Sequence, residues 1–265
     1  MVEFPSSSDL VALFKEKSKE GNDPYCEALK NAGFSSVVLP TLAFHFVNGQ
    51  ELETFLKHWN DFSGIIFSSA RAVEAIYKRL TVMEDSMKDS ITSHWKHKMN
   101  FSVGEATANL AKNLLDLDTR GKEAGSSEKL CNIILGSDPV TKPFLFPCSN
   151  IRKDTIPEVL KQNGISVQEI ISYETVGNPD LRSCWQEIVS QQGLPKVLVF
   201  FSPSGVQWSH QLIKDSKEDL KFFKFVAIGP STEKALCDVG MIPCEVAKKP
   251  NAIAICEAVK NVMKF

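Results

Sequence analysis

Residues 200–205 read Phe200-Phe201-Ser202-Pro203-Ser204-Gly205, FFSPSG, and close the apolar run that begins at Val197. An apolar run ending abruptly in serine, proline and glycine reads as a strand buried on both faces, turning into a helix at its carboxyl end. A near twin stands upstream at Ile66-Phe67-Ser68-Ser69-Ala70-Arg71-Ala72-Val73. A second matched pair follows: Val103-Gly104-Glu105-Ala106-Thr107 and Ile228-Gly229-Pro230-Ser231-Thr232. Gly104/Gly229, Thr107/Thr232, Ser126/Asn251 and Cys131/Cys256 all stand 125 residues apart. One offset held over such a length marks an internal repeat. The serine motifs stand 134 apart, so segment 81–98 and its counterpart near 209–221 differ in length. Residues 10–39 and 144–171 also correspond, with Gly33 and Gly164 131 apart.

Strand-length apolar runs occur at 10–14, 37–39, 64–67, 101–103, 144–146, 167–171, 197–201 and 225–228. Amphipathic helical patterns lie between them, for example at 24–32, 155–163 and 251–263. Such alternation predicts an α/β fold with parallel sheets wrapped by helices. The repeat divides the sequence into two units of similar plan, about 10–135 and 143–263. Residues 81–98 read as a solvated helix and loop, and 177–183 as a linker or crossover.

The chain has 265 residues, 43 % hydrophobic and 23 % charged, with a net charge of −2. That balance gives no footprint for nucleic acid, so an anionic ligand must be held by local donors. No apolar run approaches the ~20 residues of a membrane span. The first residues lack the pattern of an export signal, and a cytoplasmic protein is expected. Seven scattered cysteines, never spaced Cys-x-x-Cys, read as reduced buried thiols and not as disulfides or a zinc site.

Five polar turns each open a helix: Ser68-Ser69, Gly104 to Thr107, Cys148-Ser149-Asn150, Ser202 to Gly205, and Gly229 to Thr232. Free amides at helix starts suit carboxylates or phosphates, and serine and threonine hydroxyls add donors. The same residue types also serve as plain helix caps. Facing one space, five such turns would make a donor-rich surface for a polyanion. Arg71, Arg152 and Lys153 stand beside them, where the helix dipole disfavours cations lacking a carboxylate or ligand partner. Tyr173 ends a buried run and could pack, or act as a phenolic proton donor. FFSPSG lacks the first glycine of the hydrolase elbow, and none of the five histidines carries a triad signature. His94-x-x-His97 has no third metal ligand, and neither Gly-x-Gly-x-x-Gly nor a phosphate-loop motif occurs.

The stretches IFSSARAVEA (66–75), SVGEATA (102–108), LFPCSNIRKDTIPEVL (145–160), SYETV (172–176), GLPKVLVFFSPSGV (193–206) and FVAIGPSTEKAL (225–236) carry a family resemblance. Together with Asp23-Pro24-Tyr25 and Leu39-Pro40, the chain resembles the uroporphyrinogen-III synthases of haem biosynthesis, animal members in particular. That resemblance implies two flavodoxin-like α/β domains with parallel sheets, joined by a two-stranded linker. It places 1–40 with 177–265 in one domain, 44–171 in an inserted one, and linkers near 40–44 and 171–177. It implies a cyclising hydro-lyase acting on hydroxymethylbilane, a linear polycarboxylate, as a monomer without metal, organic cofactor, nucleic acid or membrane. Tyr173 is then the candidate acid that assists loss of the hydroxyl. Ser68, Ser69, Arg71, Gly104, Thr107, Ser149, Asn150, Lys153, Ser202, Ser204, Gly205, Gly229, Ser231 and Thr232 become candidate substrate contacts across an interdomain cleft. Ala70 replaces a proline found in many relatives, and Glu105 brings a negative charge where a neutral residue is usual. About nine residues precede the first expected strand, Leu10–Phe14, and Lys15-Glu16-Lys17 would follow it at the cleft edge. The alternative is a non-catalytic two-domain binder of a small polyanion or tetrapyrrole.

Overall fold

The computed structural model describes residues 10–18, 21–152, 154–216 and 219–263. The residues before Leu10, and Lys153, therefore lie outside the described residues. The chain divides into two compact units, Met1–Ala43 with Val176–Phe265, and Phe44–Thr175.

In the first unit, β1 (Leu10–Phe14), β2 (Ser35–Leu39), β8 (Val197–Phe200), β9 (Lys224–Ala227) and β10 (Pro243–Val246) form one sheet, ordered β10-β9-β8-β1-β2. Every neighbouring pair in it is parallel. The helices are α1 (Pro24–Asn31), α8 (Leu181–Gln192), α9 (Pro203–Lys214), α10 (Pro230–Asp238) and α11 (Ala252–Met263). LVALF carries no polar residue because both faces are covered, and all five of its residues are buried. The pleat splits the run: Ala12 and Phe14 join Leu198, Phe200 and Trp185 on one face. Val11 and Leu13 join Val197, Val199, Leu29 and Ile255 on the other. Phe14 stacks on Phe200 with ring centroids 4.7 Å apart. Truncating either ring to alanine costs ~3–5 kcal/mol.

The second sheet holds β3 (Leu42–Phe46), β4 (Gly64–Phe67), β5 (Phe101–Ser102), β6 (Phe144–Ser149) and β7 (Val167–Gly177), ordered β3-β7-β6-β4-β5; it belongs to the second unit but for the start of β3 and the end of β7. Its helices are α2 (Gly49–Lys57), α3 (Ala70–Leu80), α4 (Asp85–Lys96), α5 (Glu105–Leu115), α6 (Ser127–Leu135) and α7 (Thr155–Gln162). Strands β4 to β7 are parallel. β3 runs against β7: Val47 N donates to Ser172 O and Asn178 N to Thr41 O, so partner numbers fall as the chain advances. Arg120 bridges Phe101 in parallel, a one-residue stand-in for a further strand.

Read in chain order, the first sheet has the doubly wound order 2-1-3-4-5, with its switch point between β1 and β8. The second has the same order if the count begins at β6: β7-β6-β4-β5-Arg120. The repeat is therefore real but circularly permuted, and the compact units do not follow the sequence halves.

Several local expectations change. Two edge strands, β3 and β10, lie outside the expected apolar runs, and β7 extends past residue 171 to Gly177. Segment 81–98 is not merely solvated: Ile91 and Trp95, one turn apart on α4, are buried. The Trp95 indole donates to Leu56 O at 3.0 Å. Segment 177–183 is the end of β7, a turn and the start of α8. Of the cysteines, 131, 148 and 256 are buried, 26 and 184 half-buried, and 237 and 244 exposed.

Candidate functional site

In the second unit, β6, β4 and β5 are parallel neighbours, so the turns after them line one edge of the sheet. The switch point lies between β6 and β4, where such sheets bind ligands. Ser69 caps α3 there, its hydroxyl accepting from Ala72 N at 3.3 Å, with half-buried Ser68 before it. Ser149 ends β6, contacts the Thr175 hydroxyl at 3.3 Å and donates to Asn150 Oδ1 at 3.0 Å. Asn150 Oδ1 also accepts from Thr175 N at 3.0 Å.

Tyr173 reaches this row through an irregularity in β7. Cys148 stands opposite Ile171, but Ser149 stands opposite Tyr173, so Ser172 is an extra residue. The bulge breaks the period of two: Ile170 and Tyr173, three apart, both join one core cluster. It thereby turns the Tyr173 ring towards Ser69, whose hydroxyl lies 2.8 Å from the phenol oxygen. Ser172 is left with a buried hydroxyl that has no hydrogen-bond partner among the described residues. Tyr173 itself is 6 % exposed. Burial pushes its pKa up, and the Ser69 hydrogen bond, the Arg71 charge and Ser149 pull the other way. The phenol therefore stays protonated through neutral pH and keeps a proton to donate.

Arg71 is not a bare charge at a helix start. Its guanidinium pairs with Glu74 at 2.7 Å and covers the Phe44 ring at 4.2 Å. Arg152 likewise pairs with Glu169 and Asp154. At the third turn, Gly104 has φ +81°, a conformation that favours glycine, and Thr107 is buried. Glu105 is exposed in the first turn of α5, where a negative charge suits the helix dipole.

The first unit brings the other two turns to the carboxyl ends of β8 and β9, which are neighbours. Ser202 caps α9, accepting from Gly205 N at 3.0 Å, and its hydroxyl meets that of Ser204 at 3.1 Å. Those contacts, and a His210 ring bonded to Gln207 O, are those of a cap and not of a catalytic serine. Gly229 is extended, Ser231 is exposed and Thr232 is 1 % exposed. At the switch point, Lys15 pairs with Asp23 and lies 5.6 Å from the Tyr25 ring and 5.9 Å from the Phe201 ring. The five turns thus fall three to one unit and two to the other. Thr175, Phe44, Glu74 and Thr41 are partners of these residues that no motif singled out; two had a local signal, Thr175 two residues after Tyr173 in the same strand and Glu74 three residues after Arg71 on the same helix. His94 stacks on Trp59 at 3.8 Å. No group that could hold a metal occurs among the described residues. Among the same residues no helix is long and apolar enough to cross a membrane.

Two doubly wound α/β units, each with a row of helix starts on its carboxyl edge, define a duplicated flavodoxin-like protein. The family model for uroporphyrinogen-III synthase HemD matches residues 23–257, and the chain belongs to that family. It is 27 % identical to the uroporphyrinogen-III synthase of Saccharomyces cerevisiae, over 94 % of this chain and 95 % of that one. It is 25 % identical to the Schizosaccharomyces pombe enzyme, over 94 % and 96 %. The crystal structure of uroporphyrinogen-III synthetase from Helicobacter pylori aligns with a TM-score of 0.60 at 16 % identity, over 95 % of this chain and 98 % of that one, and so shares the fold.

Proposed function

We propose that this protein is a cyclising hydro-lyase of haem biosynthesis that converts hydroxymethylbilane to uroporphyrinogen III. The observation that carries this reading, beside membership of the family, is the buried Tyr173 phenol held 2.8 Å from the Ser69 hydroxyl on a donor-rich edge. The phenol protonates the terminal hydroxyl, which departs as water and leaves an azafulvene cation. The substituted carbon of the last ring attacks that cation, giving a spiro intermediate. The bond from that carbon to its former methylene bridge then breaks, leaving a second azafulvene cation; the ring's free α-carbon closes on it with the ring inverted, and the final proton lost restores the phenol. The pyrroles supply the electrons, so the protein's task is orientation. The turns at Ser68-Ser69, Gly104 to Thr107, Ser149-Asn150, Ser202 to Gly205 and Gly229 to Thr232 hold carboxylates through amides and hydroxyls. Arg71 adds a cation whose direction Glu74 fixes.

In this reading the enzyme works as a cytoplasmic monomer without metal or organic cofactor. Free thiols at all seven cysteines suit a reducing compartment. The test is to supply hydroxymethylbilane and separate the porphyrin isomers after oxidation. The type III isomer is expected. Type I alone, the product formed without an enzyme, would overturn the reading and leave a binder.

A further inference from the structure

Gly177 is the last residue of β7, and Trp208 lies on α9. A Cβ placed on Gly177 would stand 2.5 Å from Trp208 Cε3 and 2.7 Å from Cδ2, so the indole rests on a bare Cα. The same helix makes a second close approach in its first turn. A Cβ on Gly205 would stand 3.4 Å from Thr41 Oγ1 and 3.2 Å from the capping Ser202 Oγ. Asn178 ties the two approaching segments together: its Nδ2 donates to Pro40 O at 2.8 Å and its backbone N to Thr41 O at 3.0 Å. Residues 40–41 and 177–178 therefore form one pad seated on α9. The chain leaves the first unit after Ala43 and re-enters at Val176, so the pad is the root of both crossings.

Simple burial does not account for this indole, which is 47 % exposed. Arg182, Gln211 and Leu212 line a cavity of about 240 Å³ beside it, so the ring has room to swing away. We infer that Trp208 is a positioning residue. It clamps the crossing pad to the helix that opens with Ser202 to Gly205, so that a substrate carboxylate held there and the crossing strands move as one body. This inference rests on the cyclase reading proposed above.

The experiment compares Gly177→Ala, Trp208→Ala, Trp208→Phe and the double variant Gly177→Ala/Trp208→Ala. Each is given hydroxymethylbilane in single-turnover runs with folded enzyme in excess, so that loss of active protein does not feed the spontaneous route. Gly177→Ala, which keeps the indole but displaces it, is expected to lower kcat/KM about tenfold, below the ~100-fold that a 1 Å misplacement can cost. It should also raise the share of type I product. Trp208→Ala should match it, Trp208→Phe should recover most of the loss, and the double variant should be no worse than Trp208→Ala. Additive losses in the double variant, or an isomer share that does not move in any variant, would overturn the inference. Type I product from the unsubstituted protein would instead overturn the cyclase reading itself. If Trp208→Ala does not fold, Gly177→Ala against Trp208→Phe decides on the same isomer share.

Discussion

At the carboxyl end of β1, the switch point of the first unit holds Lys15, locked to Asp23 and set between Tyr25 and Phe201. At the matching place in the second unit, the end of β6 holds Ser149, joined to Thr175 and facing Tyr173. The sheets share one strand order, and both present helix starts at their carboxyl ends, where every strand-turn-helix step leaves backbone amides free. The difference lies in the neighbouring strand. β2 stops at Leu39 before Pro40, whereas β7 bulges at Ser172 and continues to Gly177. Donors are thus a by-product of the architecture, while the phenol had to be aimed.

The sharpest way to break this contrast is Tyr173→Phe. Turnover should fall at least ~100-fold, the low end of what a positioned acid contributes, with substrate binding nearly unchanged. Equal losses in turnover and binding would remove Tyr173 from the acid role. Since burial raises this phenol above its ordinary value of 10.0, the pH–rate profile should show no alkaline limb from Tyr173 below that value. A limb near pH 8 that vanishes in Tyr173→Phe would contradict the assignment.

Next in size is the matched glycine pair. Gly104→Ala forces alanine into φ +81° and should cost about 1–3 kcal/mol in urea melts. Gly229 is extended with open space around it, so Gly229→Ala should stay within ~0.5 kcal/mol. Equal effects would mean the two turns are not conformationally distinct. Ser202→Ala removes the cap bonded to Gly205 N and should cost about 1 kcal/mol. Its effect on activity should appear in substrate binding before turnover.

Smallest of all is Ser172→Ala. Its hydroxyl is buried without a hydrogen bond, so removal should be neutral or stabilising by up to ~1 kcal/mol. A clear loss of stability would show that the hydroxyl has a partner. Alkylation offers a separate check within this series. Cys237 and Cys244 should react readily, and Cys148, buried and with its thiol pushed to about 11, should not.

What the sequence made legible follows from where its signals are local. Central strands such as LVALF and GIIF are buried on both faces and announce themselves as apolar runs. β3 (LAFHF) and β10 (PCEV) are edge strands, half-buried at most positions; His45 breaks the apolar run of β3, and β10 has none. Trp95 hid in a polar helix because only its one-turn spacing from Ile91 marks a buried stripe. The repeat exposed the polar turns as a set, since identical offsets need no knowledge of space. The pairing of Ser69 with Tyr173 is a long-range contact with no local signature, and the bulge that permits it exists only as a shift in strand register. The Arg152–Glu169 pair is likewise long-range, whereas Glu74, three residues after Arg71 on one helix, was within reach of a local reading.

The circular permutation also fixes an order of events at the ribosome. Residues 44–175 emerge as one continuous stretch carrying every strand of their sheet except the start of β3 and the end of β7, and can condense while synthesis continues. The first sheet cannot. β1 and β2 are made early, but Phe14 waits for Phe200, and β9 and β10 come later still. A nascent LVALF segment is thus kept waiting with its apolar faces uncovered, and chaperone demand should concentrate on the amino-terminal end of the chain.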